Sequence, residues 1–142
     1  MQAGSQGEIL LRVADQLGRE LGYVEGGDVP DARATPGEGL AASQLLNSED
    51  AALVARLRTA LAKIAAALLN ARSERAPVPG VLAALEGTAL VMRGELVSGN
   101  AAQLPRLMPS FVFLVALPIV EQDRALELSR RTSELIEEER GV

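Results

Sequence analysis

An all-α fold is what this sequence predicts, and three observations carry the prediction. Apolar residues recur at steps of three and four in the segments that proline and glycine leave between them. Aromatic residues make up only 2% of the chain against 48% hydrophobic, so the core must be built from Leu, Val, Ile and Ala. A nearly unbroken apolar run, Leu107 to Val120, leads straight into an amphipathic stretch from Glu121 to Arg140. That run is too short to cross a bilayer and too apolar to face water, so it must pack inside a helical core or against a second copy. The expectation is a soluble single domain spanning residues 1–142, of about five or six helices, dimerising through a four-helix bundle of its C-terminal helices.

The first helix is predicted to open at Ser5-Gln6-Gly7-Glu8, which has the spacing of a capping box. Ile9, Leu10, Val13, Leu17 and Leu21 form its apolar stripe, with Arg12, Asp15, Gln16, Arg19 and Glu20 on the other faces. From Gly22 to Gly39 the chain gathers Gly26-Gly27, Pro30, Pro36 and Gly37 among acidic residues, which predicts a long mobile loop. A short helix is expected over Leu40–Leu46, then Asn47 or Ser48 as the cap of a longer one, with Glu49 and Asp50 complementing its positive end. Leu53, Leu57, Leu61, Ile64 and Leu68 form one ladder there, and the alanines around them allow close helix approach; the helix should end near Ala71 or Ser73.

Pro77, Pro79 and Gly80 are expected to break the chain before a helix from about Val81 to Val97, presenting Leu82, Leu85, Ala89, Met92 and Leu96 and stopping at Gly99. Pro105 and Pro109 should sit near helix starts, and Ser110 to Leu117 is apolar on every face but Ser110 itself. Pro118 should kink or end that helix. Ala125, Leu128, Thr132 and Leu135 then recur at packing distance along the last one, whose Glu137-Glu138-Glu139-Arg140 tail reads as solvated.

Composition narrows function more by exclusion than by motif. The chain has no cysteine and no histidine, so disulfides, thiolates, sulfur metal sites, the commonest metal ligand and the commonest base near neutral pH are all missing. Fourteen basic residues against 19 acidic ones give a formal charge of −5, the wrong sign for a surface that must neutralise phosphates, so direct nucleic-acid binding is not expected. Met1 to Glu8 shows no secretory signal and no long apolar span follows, which points to a cytoplasmic protein without membrane contact. The adjacent carboxylates of Glu49-Asp50 and Glu137 to Glu139 diverge, and Gly22 to Gly27 lacks the Lys-Ser/Thr of a phosphate loop. No cofactor and no metal are expected, and an enzyme is not: Lys63 is the single lysine, and catalysis would need a strongly shifted Glu or Lys.

Among individual residues, Glu86 and Arg93 are seven apart on one helical face and read as its wet side, with Glu95 beside them. Thr88 and Met92, spaced i, i+4 with Leu85, either pack in the core or line a pocket. Phe111 and Phe113 cannot share a face, being about 200° apart around a helix, so one should face the core and the other a partner. Tyr23 sits where it could meet a ligand or cap the first apolar stripe. The dimer interface is expected over Pro109–Pro118 and the helix after it, at Phe111, Leu114, Val115, Leu128, Thr132 and Leu135.

The order of segments resembles the regulatory half of TetR-family transcription repressors. Ser5-Gln6-Gly7-Glu8-Ile9-Leu10 is similar to the Ser-Lys-x-x-Leu-like lead-in to that family's linking helix, with Gln where Lys is usual. The tail, a helix ending at Gly99, then Leu104-Pro105-x-Leu107-x-Pro109, an apolar helix, Leu117-Pro118 and an amphipathic helix, is similar to the last helices of many members, which form a four-helix bundle across a twofold axis. The resemblance implies an effector-binding and dimerisation domain. A small apolar molecule would enter between the linking helix, the Leu53 to Leu69 helix and the Val81 to Val97 helix, at Leu61, Leu85, Thr88, Met92 and Phe113. The family's helix-turn-helix should precede Ser5, where Met1 to Gly4 leaves no room, so this chain is not expected to bind operator DNA alone. The competing expectation is a helical homodimeric adaptor that has no small-molecule ligand and sequesters a partner chain.

Overall fold

The computed structural model describes residues 3–23, 47–71 and 78–141, and within these it holds five α-helices, one short 3-10 turn and no strand. The helices are α1 (Ala3–Glu20), α2 (Ser48–Asn70), α3 (Val78–Val97), α4 (Leu104–Ala116) and α5 (Gln122–Glu139), with the 3-10 turn at Ala101–Gln103 leading into α4. The loop expected over residues 22–39 lies outside the described residues beyond Tyr23, and so does the short helix expected over 40–46.

The punctuation of the chain follows from local chemistry. The Asn47 side chain accepts a hydrogen bond from the Asp50 amide at 2.7 Å, so Asn47 is the cap of α2. Gly22 and Gly99 end α1 and α3 at φ +91° and +77°, a conformation that costs residues with a Cβ. At each, two amides turn back onto the last turn: Tyr23 to the Gly18 carbonyl at 2.9 Å with Gly22 to Arg19, and Asn100 to Glu95 at 2.8 Å with Gly99 to Leu96.

Three boundaries depart from expectation. Helix α1 already includes Ala3, which puts Ser5 inside its first turn instead of at the cap. Pro79 and Gly80 do not break the chain but lie in the first turn of α3, where a missing amide hydrogen costs nothing. Helix α4 starts six residues before Ser110, so Pro109 sits inside it, while Pro105 holds the first turn as expected.

Helix α4 packs against all four other helices, which is why its sequence is apolar on nearly every face. One continuous core joins Leu10, Val13 and Leu17 of α1 to Leu57, Leu61 and Ile64 of α2. It continues through Val81, Leu85 and Met92 of α3, Met108, Val112 and Val115 of α4, and Ala125, Leu128 and Leu135 of α5. Each fully buried side chain of this size contributes about 1.5–3 kcal/mol relative to exposure.

Two helix pairs fix the frame. Arg12 meets Glu139 at 2.9 Å and Glu20 meets Arg131 at 2.7 Å, so α1 and α5 run antiparallel. By contrast α1 and α2 run side by side in the same direction, as Gly7 against Leu53, Glu8 against Arg56 and Tyr23 against Lys63 show. Gly7 lets the pair close at one end, because a Cβ there would collide with the Leu53 methyls.

Candidate functional site

Beyond the Gly7 contact, several of the residues that α1 and α2 turn toward each other are small, and a half-open cleft of about 380 Å³ remains. Leu11, Ala14, Asp15 and Gly18 of α1 form one wall, with Ala14 and Asp15 three and four residues after Leu11 and Gly18 one turn beyond them. Ala55, Arg56, Thr59, Ala60 and Lys63 of α2 form the other. Tyr23 closes the end, with its ring 5.7 Å from the Lys63 ammonium, a distance at which the cation is drawn to the ring face. A Cβ at Gly18 would meet the Tyr23 Cβ at 3.8 Å, an ordinary van der Waals contact.

The charges around the cleft are partly neutralised from outside it. Asp15 is held by Arg19 at 2.8 Å, and Arg56 reaches Glu8 at 3.3 Å. The Thr59 hydroxyl donates to the Ala55 carbonyl at 3.0 Å, which leaves its oxygen able to accept. The cleft therefore has an apolar floor, one aromatic end and a wall that carries two cations two turns apart.

The residues expected to hold a ligand lie elsewhere. Leu61, Leu85, Thr88 and Met92 are buried in the packed core, and none of them lines the cleft. The Thr88 hydroxyl donates its proton to the Leu85 carbonyl of its own helix at 2.9 Å, which leaves only its oxygen as an acceptor. Phe113 is half-buried against the core. Of the open alternatives, Tyr23 turns out to stand at a cleft, and Thr88 and Met92 to be core.

The residues expected at a dimer interface divide by their burial within the single chain. Phe111, Val115, Leu128, Thr132 and Leu135 are covered within the single chain, because α4 packs against all four other helices and α5 packs against α4 and α1. Thr132 donates to the Leu128 carbonyl at 2.8 Å. A side chain already sheltered by its own chain cannot also be the surface of a second copy. Leu114 alone of the six is exposed, at 47%.

Leu117 and Leu126, which fall within the segments expected at the interface but are not among its six named residues, are 42% and 51% exposed on the same two-helix hairpin. Sequence reasoning missed the outer face of α3, where Leu90, Val91 and Val97 are exposed with Leu90 at 64%. The signal was present in α3: Ala83, Gly87, Leu90, Val91, Gly94 and Val97 recur at helical spacing opposite the Leu85–Met92 stripe, and none is charged. Glu86, expected on the wet side, is tied to Arg58 of α2 at 2.8 Å.

Among the described residues, the fold perturbs the ionisation of Glu20 and Arg131. Hydrogen bonding to the Arg131 guanidinium holds the Glu20 carboxyl below its ordinary value, against a small opposing effect of burial. The same bond, with help from Glu134, raises Arg131. Both lie on the α1–α5 seam, away from the cleft.

Among the described residues, no group of three or more acidic side chains is placed to hold a metal ion, and no helix is long and apolar enough to cross a membrane. No protein-family model, no curated protein and no solved structure matches the chain.

Proposed function

We propose that the chain is a regulatory domain of the kind TetR-like repressors carry, a helical module that receives a small molecule and pairs with a second copy through α4 and α5. The observation that supports it is the set of leucines on the last two helices, Leu114, Leu117 and Leu126, which are half exposed while charged residues occupy the neighbouring outer positions of α5. Two such hairpins brought together across a twofold axis form a four-helix bundle, and each leucine recovers the burial it lacks in the monomer. Helices of this length, about 20 Å and 27 Å, present enough surface to approach the roughly 800 Å² per partner of a stable interface. The pairing residues are then Leu114, Leu117 and Leu126, and the net charge of −5 leaves DNA contact to another part of such a regulator.

Sedimentation equilibrium tests the pairing. The expected mass is twice 14.9 kDa, and Leu114→Asp with Leu126→Asp is expected to halve it while the helical circular dichroism stays unchanged. A chain that remains a monomer at all concentrations overturns the pairing.

The outer face of α3 favours a second reading, an adaptor that binds another protein. Leu90, Val91 and Val97 would dock a partner helix, and Leu90→Glu would abolish that capture without changing the mass of the homodimer.

A further inference from the structure

We infer that the outer face of α3 is a self-pairing surface, on which two copies of this chain meet across a twofold axis beside Leu90 with their α3 helices antiparallel. The contact is separate from the pairing through α4 and α5, because α3 packs on α2 and α4 and leaves this face exposed. It takes the face that an adaptor would use and names the occupant as a second copy.

The face is built as a packing seam. Ala83, Gly87, Leu90, Gly94 and Val97 follow one another at steps of four and three along the exposed side of a 20-residue helix, the spacing at which two helices interlock. Gly87, Leu90, Val91 and Gly94, at i, i+3, i+4 and i+7, mark the four corners of one socket. Two opposite corners are glycines, where an added Cβ meets nothing within 4 Å in its own chain, so the socket is deep enough to receive a leucine. Nothing among the described residues uses that depth.

What occupies the socket follows from the order of residues around it. In a twofold contact residue i meets residue j of the other copy and j meets i, so contacting residues must pair off about a common midpoint. Ala83 with Val97, Gly87 with Gly94, and Glu86 with Arg93 each have a midpoint within one residue of Leu90, the most exposed of the large apolar side chains. The charged pair then fixes the direction. Glu86 and Arg93 lie seven apart along the same edge of the face, so antiparallel helices bring each Glu86 beside Arg93 of the other copy, whereas parallel ones set like charges side by side. Both groups have capacity for that bond. Arg93 has no ion-pair partner among the described residues, and Glu86 accepts from Arg58 through Oε1 and keeps Oε2. A foreign helix would have no reason to match these midpoints. A single helix pair buries well below the roughly 800 Å² per partner of a stable interface, so the contact is weak and forms at high chain concentration. The mass measured at dilution therefore reports on α4 and α5 alone.

The chain has no cysteine, so a cysteine placed on α3 reports this contact cleanly. Leu90→Cys stands beside the axis and is expected to give a covalent dimer on mild oxidation at millimolar chain. Ala83→Cys and Val97→Cys are each expected to stay uncrosslinked alone, because twofold-related copies of either lie about 20 Å apart, and to crosslink to each other when mixed. In the Leu90→Cys background, Gly94→Leu fills the socket and Arg93→Glu sets acids together. Each is expected to slow crosslinking roughly tenfold or more with unchanged circular dichroism. Leu114→Asp is expected to leave the crosslink intact, which separates failure of this contact from failure of the pairing through α4 and α5. No crosslink at Leu90→Cys overturns the inference and leaves the face to another protein. Crosslinking of Ala83→Cys or Val97→Cys alone overturns it as well, and so does a crosslink that is indifferent to Gly94→Leu and Arg93→Glu or is lost with Leu114→Asp.

Discussion

The Glu20–Arg131 contact shows what one surface pair does for this fold. The Arg131 guanidinium donates from Nε and Nη2 to the two Glu20 oxygens at 2.9 and 2.7 Å, a bidentate fork that joins the end of α1 to the middle of α5. Because hydrogen bonding holds the Glu20 carboxyl below its ordinary value of 4.5, the folded state binds the proton less readily than the unfolded chain. The stability it contributes is therefore complete above that value and is lost as pH falls through the lower, folded one. Glu20→Gln is expected to lower Tm by about 2 °C at pH 7. The difference should shrink in melts taken progressively below pH 4.5 and vanish once Glu20 is protonated in the folded state as well. An unchanged difference at all pH values would show that the pair acts through packing and not charge. At this scale the sequence was least legible. Spacing told that Phe111 and Phe113 differ in direction, and burial of Phe111 with half-exposure of Phe113 agrees, but spacing does not say which direction is outward. That depends on how the helix is rotated among its neighbours, and the same ambiguity placed Val115 and Leu128 on a partner when they face the core.

At the scale of elements, α3 is the helix whose sequence its own chain explains least. Gly87 and Gly94 are exposed mid-helix positions, and a Cβ added at either meets nothing within 4 Å. Glycine in a helix interior costs roughly 0.5–1 kcal/mol relative to alanine, through the extra freedom it loses on folding. If no partner approaches this face, Gly87→Ala and Gly94→Ala should each raise Tm by about 2–4 °C and together add, being seven residues apart without shared neighbours. Differential scanning calorimetry checks this. A loss of stability in either variant would mean that something packs against the backbone there, which would strengthen the adaptor reading. Helix identities were legible because Leu and Ala repeat at steps of three and four, and the Asn47 and Gly99 signals marked boundaries correctly since each rests on a local hydrogen bond or dihedral. Proline misled for the opposite reason. Pro79 and Pro109 were read as punctuation, but a proline in the first turn of a helix lacks nothing. At Pro109 the burial of Met108, Phe111 and Val112 on either side outweighs the lost amide bond.

For the whole molecule, the deciding question is which apolar surface the chain covers by itself. Helix α4 touches every other helix, so one side of the run from Leu107 to Val120 is sheltered without a second copy. The cleft was not legible either, because it arises between two helices encoded far apart in the chain; of its lining, sequence alone marks Tyr23 and the single lysine, Lys63, without bringing them together. Neighbouring positions of α4 now separate shelter by the chain from shelter by a twin. Val115 is fully buried, and Val115→Asp would put a carboxylate where no partner can reach it. Such an unpaired buried charge typically costs several kcal/mol, a large share of the roughly 5–15 kcal/mol that holds a domain folded. Leu114 is half exposed, and Leu114→Asp would leave its charge in water once two copies part. The expected outcome is that Val115→Asp loses its cooperative melt or precipitates, whereas Leu114→Asp melts as a folded chain at half the wild-type mass. Were both variants to unfold alike, Leu114 would belong to the core as well, and the twofold bundle would have no surface left on which to form.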